Sequence, residues 1–410
     1  MINLNRLFAL PAGLSPQLRA NFINFYWDIA WWGLYIGATS AFLGIYATRS
    51  GATPQEIGLL TALPAMLTLM LALPTGRFLR RVPATRATVL SALSGRVLLL
   101  GYVFIPWLVP PGFQVTAILA LTVLIAIPNT VIGISFSQFF VEGIPSEWRG
   151  MVVGTRFAIM SIISFLTTLV CGQVLERIPF PAGYQVVFFI GFSGAIMTVF
   201  QLRQIHPVAD PALPPAPPPS AQRRLLPHVD GQGRVYLKVI ALMFCFNFTN
   251  NMIAPLIPNL LVHTINLSDA MISIGTALSN MLVFLISLQI ARLTRRTGNR
   301  NATALGAALL AVQSIALALA GSATVYLIAA FIGGLASGVL GTAQYNYQLD
   351  FLPQSERPAW LSWNLMLGNA AVLLGALSGP IVAQWFGVPN AILLFGTLRL
   401  VVGLAIFKWG

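Results

Sequence analysis

Long apolar runs alternate along the whole chain with short polar connections. A hydrocarbon core about 30 Å thick takes roughly 20 residues of α-helix. Twelve runs of that order are present: 22–47, 55–76, 86–108, 114–138, 151–174, 184–204, 236–261, 270–291, 301–321, 324–348, 359–385 and 389–408. They are apolar on every face, with Gly and Pro scattered through them, whereas barrel strands would be about 10 residues of alternating polarity. The pattern predicts an all-α polytopic membrane protein with twelve transmembrane helices. Most connections are short, so successive helices are antiparallel neighbours. The exception is a polar stretch that carries Pro214, Pro215, Pro217, Pro218 and Pro219, then Arg223 and Arg224. Proline at this density gives an extended spacer without a core, and the arginines hold it near an anionic leaflet. The predicted organisation is a bundle over 1–204, a linker over 205–235 and a second bundle over 236–410.

Two pairs of polar signatures interrupt the apolar pattern. The first half has Gly76-Arg77-Phe78-Leu79-Arg80-Arg81 and later Glu142, Pro145, Arg149 and Gly150. The second half has Ala291-Arg292-Leu293-Thr294-Arg295-Arg296-Thr297-Gly298 and later Asp350, Pro353 and Arg357, with acid, proline and arginine at the same internal spacing. Duplication of a six-helix bundle accounts for both repeats.

Composition agrees, with 57% hydrophobic and only 8% charged residues, too little charge to cover a soluble globule. The net charge of +13 raises nucleic acid as a partner, and the placement of the cations argues against it. With the amino terminus inside, nearly all of them fall in inside segments, while the outside loops hold only Arg49 and Arg177. This positive-inside asymmetry predicts a multi-pass protein of the cell (inner) membrane with both termini cytoplasmic. No cleavable signal peptide is expected, because the first apolar stretch is short and leads into Ser15, Gln17, Arg19 and Asn21. Cys171 and Cys245 fall inside spans, where a thiol usually serves packing, and His206, His228 and His263 lie far apart in loops. No metal or other cofactor is expected.

Six spans, a polar linker and six further spans with matching loop signatures resemble the major facilitator superfamily of secondary transporters. The most specific element is Glu142-x-x-Pro145-x-x-x-Arg149-Gly150, echoed by Asp350-x-x-Pro353-x-x-x-Arg357. The loop after the second span is similar to the superfamily's Gly-x-x-x-Asp-Arg-x-Gly-Arg-Arg motif at Gly76 and Arg81. It departs at the acid, which is Arg80, and at the second glycine, which is Pro83; the later copy has Arg295 at the acid position. The resemblance implies two bundles rocking about a midplane site, with a central cavity built from the first, fourth, seventh and tenth helices. The eleventh span, with Gly375, Ser378, Gly379 and Pro380, resembles a helix-bending motif that antiporters of this superfamily carry in the fifth span, and the fifth span here lacks it.

The charged residues at the span ends suggest a gate. Glu142 and Asp350 close their helices where the dipole already places negative charge, so each calls for nearby cations. Arg77, Arg81, Arg149 and Arg156 are the candidates for Glu142, and Arg292, Arg296 and Arg357 for Asp350, in a cytoplasmic network that exists in one conformation and breaks in the other. The alternative is a set of interfacial charges worth little as exposed pairs.

Within the spans, ionisable residues are costly and hence functional candidates. Asp28 lies well inside the first helix, on a side shared with Asn24, Trp31 or Trp32, and Tyr35. It is either a proton or cation site or a structural partner, with Arg96 on the third helix the nearest candidate by depth. Arg399 in the last span is expected to snorkel or to bond between helices. Asn247, Asn250 and Asn251 on the seventh helix, followed by Pro255 and Pro258, offer neutral hydrogen bonds, as do Gln138, Tyr345 and Asn346 on the fourth and tenth. The expected function is a monomeric secondary transporter of a small organic solute by alternating access, with protons as a further partner if Asp28 couples. An uncoupled facilitator, a lipid flippase and a transport-inactive sensor are the alternatives. Catalysis is not expected, because no nucleophile or carboxylate cluster lies at membrane depth.

Overall fold

The computed structural model describes residues 14–79, 81–208, 229, 231–353 and 357–410. Arg80, the proline run, Arg223 and Arg224 lie outside these residues. Twelve helices are long and apolar enough to cross a membrane, and no strand occurs among the described residues. They are α1 Pro16–Arg49, α2 Pro54–Leu79, α3 Ala84–Leu108, α4 Gln114–Gly143, α5 Ser146–Arg177, α6 Ala182–Arg203, α7 Gly231–Thr264, α8 Asp269–Ser287, α9 Asn299–Ala318, α10 Ala323–Asp350, α11 Arg357–Phe386 and α12 Val388–Trp409.

α1 starts before the apolar run that announces it. Ser15 caps it by accepting from the Leu18 N–H, and Pro16 takes the first helical position, where its missing donor costs nothing. A π-helical segment interrupts α1 at Ile36–Ser40, and another ends α7 at Leu260–Thr264, after a turn at 254–255. Gly298, at φ +80°, joins the short helix Ile290–Thr297 to α9; a left-handed residue at that position is what glycine accommodates without strain.

The chain forms two compact units, Met1–Tyr46 with Met70–Pro215, and Ala47–Leu69 with Ala216–Gly410. By contact, residues 47–69 therefore group with the second unit, not with the first as duplication alone would have it. In unit 1, α1 packs on α5 and α6, and α3 on α4 and α6. In unit 2 the same scheme recurs, with α7 on α11 and α12, and α9 on α10 and α12.

Glycine permits the closest approaches. Gly33 and Gly37 of α1 lie against Ile163, Ser164 and Thr167 of α5, and Ser164 and Thr168 donate to the Gly33 and Gly37 carbonyls at 3.1 and 3.0 Å. In unit 2 the glycines sit on the other partner: Gly375 and Gly379 of α11 lie against the Phe248 and Met252 carbonyls of α7. The glycine-spaced run of α11 is thus a packing surface for α7.

Each unit also has an aromatic-rich core. In unit 1, Phe22, Phe25 and Tyr26 meet Phe139, Ile144 and Val152; in unit 2, Tyr236, Met243 and Phe246 meet Leu340, Trp360 and Ile406, with Tyr236 edge-on to Trp360 at 5.5 Å. Large exposed apolar side chains such as Leu90, Val97, Phe189, Val401 and Leu404 cover the outer faces, as a lipid-facing surface requires.

Candidate functional site

Asp28 is buried on α1, and its carboxylate pairs with Arg156 of α5 at 3.0 Å. Arg156 also donates to the Phe25 carbonyl at 2.6 Å, and its guanidinium lies over the Phe25 and Phe136 rings at 5.4 and 5.3 Å. The geometry moves Arg156 away from the end-of-helix network that its spacing from Arg149 suggests. Seven residues of helix place it about 10 Å deeper than Arg149, where the nearest available acid is Asp28.

Arg96 of α3, the partner that depth alone suggests for Asp28, takes other company. Its Nη1 donates to Asn129 Oδ1 of α4 at 3.3 Å, and its guanidinium stands 4.3 Å from the Trp32 ring. Trp32 stacks on Tyr35 at 4.4 Å, one helical turn on, so the two rings form a half-buried aromatic wall beside the guanidinium. Trp31 stacks on Trp27 instead, with its Nε1 buried and unpartnered. Asn24 donates to the Gln204 carbonyl at 3.5 Å, and Asn21 ties the Gly143 and His206 carbonyls together, so these amides fasten the ends of α4 and α6.

In unit 2 a cavity of about 510 Å³ opens between α7, α9 and α10. Asn247 and Asn250 line it from α7, Gln313 from α9, and Gln344, Tyr345 and Gln348 from α10. Every polar side chain lining it is uncharged, so the cavity offers both donors and acceptors without fixing a sign of charge. Asn247 and Asn251 each spend their N–H on an α7 carbonyl one turn earlier, and Gln348 accepts from Asn364 at 2.5 Å. Asn251 and Asn346 do not line the cavity. Gln313, Ser337, Gln344 and Gln348 do, and sequence reasoning missed them. The signal was present, since a glutamine inside an apolar run needs a partner almost as much as a charge does.

At the arginine-rich ends the side chains serve the helix termini. Arg149 donates to the Ile144 and Val141 carbonyls at 2.9 and 3.0 Å, satisfying orphan acceptors at the end of α4, while Glu142 accepts from Gln138 at 2.9 Å. Asp350 accepts from Asn299 at 2.8 Å, at the start of α9. Arg77, Arg81, Arg292 and Arg296 are exposed, and the Arg357 side chain lies outside the described residues. Among the described residues Glu142 and Asp350 thus each take an amide contact, and Arg149 takes carbonyl contacts.

Arg399 bonds between helices. Buried on α12, it donates to the Leu310 carbonyl and Ser314 hydroxyl of α9 at 3.2 and 3.0 Å, and to the Thr249 carbonyl of α7 at 3.4 Å. Within unit 2, Arg49 bonds Asp269 at 2.8 Å and the Leu267 carbonyl at 2.9 Å, where the carboxylate sits in the first turn of α8. Cys171 is buried as a packing residue would be, whereas Cys245 is exposed. Among the described residues no three His, Cys, Asp or Glu side chains come together to hold a metal ion.

The sequence model of the Major Facilitator Superfamily matches residues 239–410. No curated protein matches the sequence. Among solved structures, a D-xylose–proton symporter superposes with a TM-score of 0.73 at 14% identity, covering 96% of this chain and 98% of that one. A POT family transporter in complex with 5-aminolevulinic acid gives 0.70 at 13% identity, over 97% and 96% of the two chains. The nucleoside transporter NupG gives 0.64 at 15% identity, over 97% and 100%. At these identities the likeness is one of fold.

Proposed function

We propose that this chain is a transporter of the major facilitator type, whose sequence model matches residues 239–410, and that it moves a small polar organic solute across a membrane by alternating access of its two bundles. The observation that carries the reading is the uncharged, amide-lined cavity of unit 2, about 510 Å³ in volume and of a size for a small organic molecule. The similar structures support it, since they include a D-xylose–proton symporter and a nucleoside transporter. We assign the arginine-rich ends of the spans to the cytoplasm on the positive-inside asymmetry. Counterflow in proteoliposomes tests transport without assuming a driving force: a panel of labelled polar solutes is offered to liposomes preloaded with the same unlabelled solute. Accumulation of at least one solute above protein-free liposomes is expected, and none across the panel would reject the reading.

Proton coupling is the second reading, favoured by one observation: Asp28 is the only acid classed as buried among the described residues. Proton uptake there would break its pair with Arg156 and free both side chains. Uptake that stays unchanged when the proton gradient is collapsed would leave a facilitator.

A further inference from the structure

Unit 1 buries more cation than anion. Its buried charged side chains, among the described residues, are Asp28, Arg96 and Arg156. Arg156 takes the Asp28 carboxylate and the Phe25 carbonyl. Arg96 lies within electrostatic reach of that same carboxylate but has no direct bond to it. It is left with the Trp32 ring, one amide oxygen of Asn129, and an Nε that is buried without a hydrogen-bond partner. A guanidinium carries five N–H donors and cannot shed its charge. At bilayer depth such a group is costly, and a ring face returns only part of that cost.

Two further features separate Arg96 from the other buried arginine without an acid partner. Arg399 is bonded to fixed main-chain carbonyls and to a buried serine. Arg96 is bonded to a side-chain amide, and Asn129 is exposed, so the guanidinium is reached from the accessible surface of unit 1 by displacing one rotatable group. The aromatic wall of Trp32 and Tyr35 then flanks whatever takes the amide's place.

Resting on the transport reading above, we infer that Arg96 is the anchor for an oxyanion on the solute, a carboxylate or a phosphate, whose two oxygens match the planar fork of the guanidinium. The solute is an organic anion, and Asn129 is the group it displaces.

The test uses the purified full chain and acid–neutral pairs of matched shape: lactate with lactamide, gluconate with glucitol, benzoate with benzamide. Inorganic phosphate serves as a competitor that separates the two oxyanion classes. Equilibrium binding of labelled compounds should favour the acid by at least tenfold in one pair, and Arg96→Gln should abolish the preference while Arg96→Lys keeps a weakened one. Asn129→Asp places an internal carboxylate against the guanidinium, and should raise the melting temperature while cutting acid binding at least tenfold; it serves where Arg96→Gln does not fold. No preference in any pair, or a preference that survives both Arg96→Gln and Asn129→Asp, overturns the inference. Counterflow of the same compounds separates the two ideas: flux of neutral solutes alone keeps transport and rejects the anion anchor. Acid binding without flux does the reverse.

Discussion

Asp28 of α1 and Arg156 of α5 form an ion pair 3.0 Å long, with side-chain exposures of 7% and 11%. The pair crosses the same α1–α5 seam that Gly33, Gly37, Ser164 and Thr168 close further along. One helix pair is therefore held by charge at one depth and by close backbone contact at another. Charge in a low-dielectric seam is asymmetric in its consequences: the intact pair adds little net stability, while half of it is costly to keep.

Asp28→Asn is expected to destabilise by about 3–5 kcal/mol, because Arg156 then stays buried beside a neutral amide. Removing both charges, as Asp28→Asn with Arg156→Leu, should recover most of that loss. Thermal unfolding in detergent reads both, and a double variant no more stable than the single one would show that the pair is not the source.

The glycine seam makes a steric prediction. A Cβ at Gly37 would stand 2.6 Å from the Ser164 carbonyl oxygen, whereas one at Gly133 would meet nothing within 4 Å. Gly37→Leu should cost about 1–3 kcal/mol through overpacking, and Gly133→Ala should leave the melting temperature within a degree or two. Equal effects at both positions would mean that close approach of α1 to α5 is not what the glycine supplies.

The twelve-helix fold was legible because a bilayer leaves the chain few choices: each span must satisfy its own backbone and remain apolar for about 20 residues. Asp28 stood out for the same reason, since an acid within a span has to be accounted for. Its partner was not legible. Depth can be counted along a helix, but the side of α1 on which α3 or α5 lies is set by packing, so depth pointed to Arg96 where the geometry gives Arg156. The glutamines of the unit 2 cavity escaped for a related reason: which side of α9 and α10 faces α7 is set by packing and not by spacing along either helix. Grouping of residues 47–69 with unit 2 arises from contacts far apart in sequence, such as Arg49 to Asp269 and Gln55 to the Pro380 carbonyl, which no periodicity records.

Arg149 and Glu142 are predicted to behave unequally. Arg149 donates through Nε and Nη2 to two carbonyls, a fork that lysine cannot reproduce. Arg149→Lys should therefore lower the melting temperature by an amount corresponding to about 1–2 kcal/mol, while Glu142→Gln, still able to accept from Gln138, should change it little. Cysteine-accessibility labelling of the arginine-rich face completes the test: a change of accessibility in Glu142→Gln would restore a gating role for the acid.

The cavity amides should control affinity without holding the fold. Asn250 and Gln313 face the cavity from α7 and α9. A net hydrogen bond is worth about 0.5–1.5 kcal/mol, so Asn250→Leu and Gln313→Leu should each weaken binding of a transported solute by roughly twofold to tenfold. Leu310 also lines the cavity, and Leu310→Val should have a smaller effect. Saturation curves from counterflow measure this, and unchanged affinity in both amide variants would move the binding site elsewhere.

Arg399 gives the opposite expectation from Asp28. Its charge is met by the Leu310 and Thr249 carbonyls and the Ser314 hydroxyl, without a carboxylate among these partners, and its Nε is buried without a partner. Replacing it with methionine removes a desolvated charge and fills a similar volume. The groups it leaves are not orphaned: Leu310 O still accepts from Ser314 Oγ, and Thr249 O lies in a helix, where main-chain N–H groups supply donors. Arg399→Met should therefore be at least as stable as the parent chain, by up to about 1 kcal/mol, and should retain counterflow. Intact expression with loss of counterflow would instead give the buried charge of α12 a part in transport.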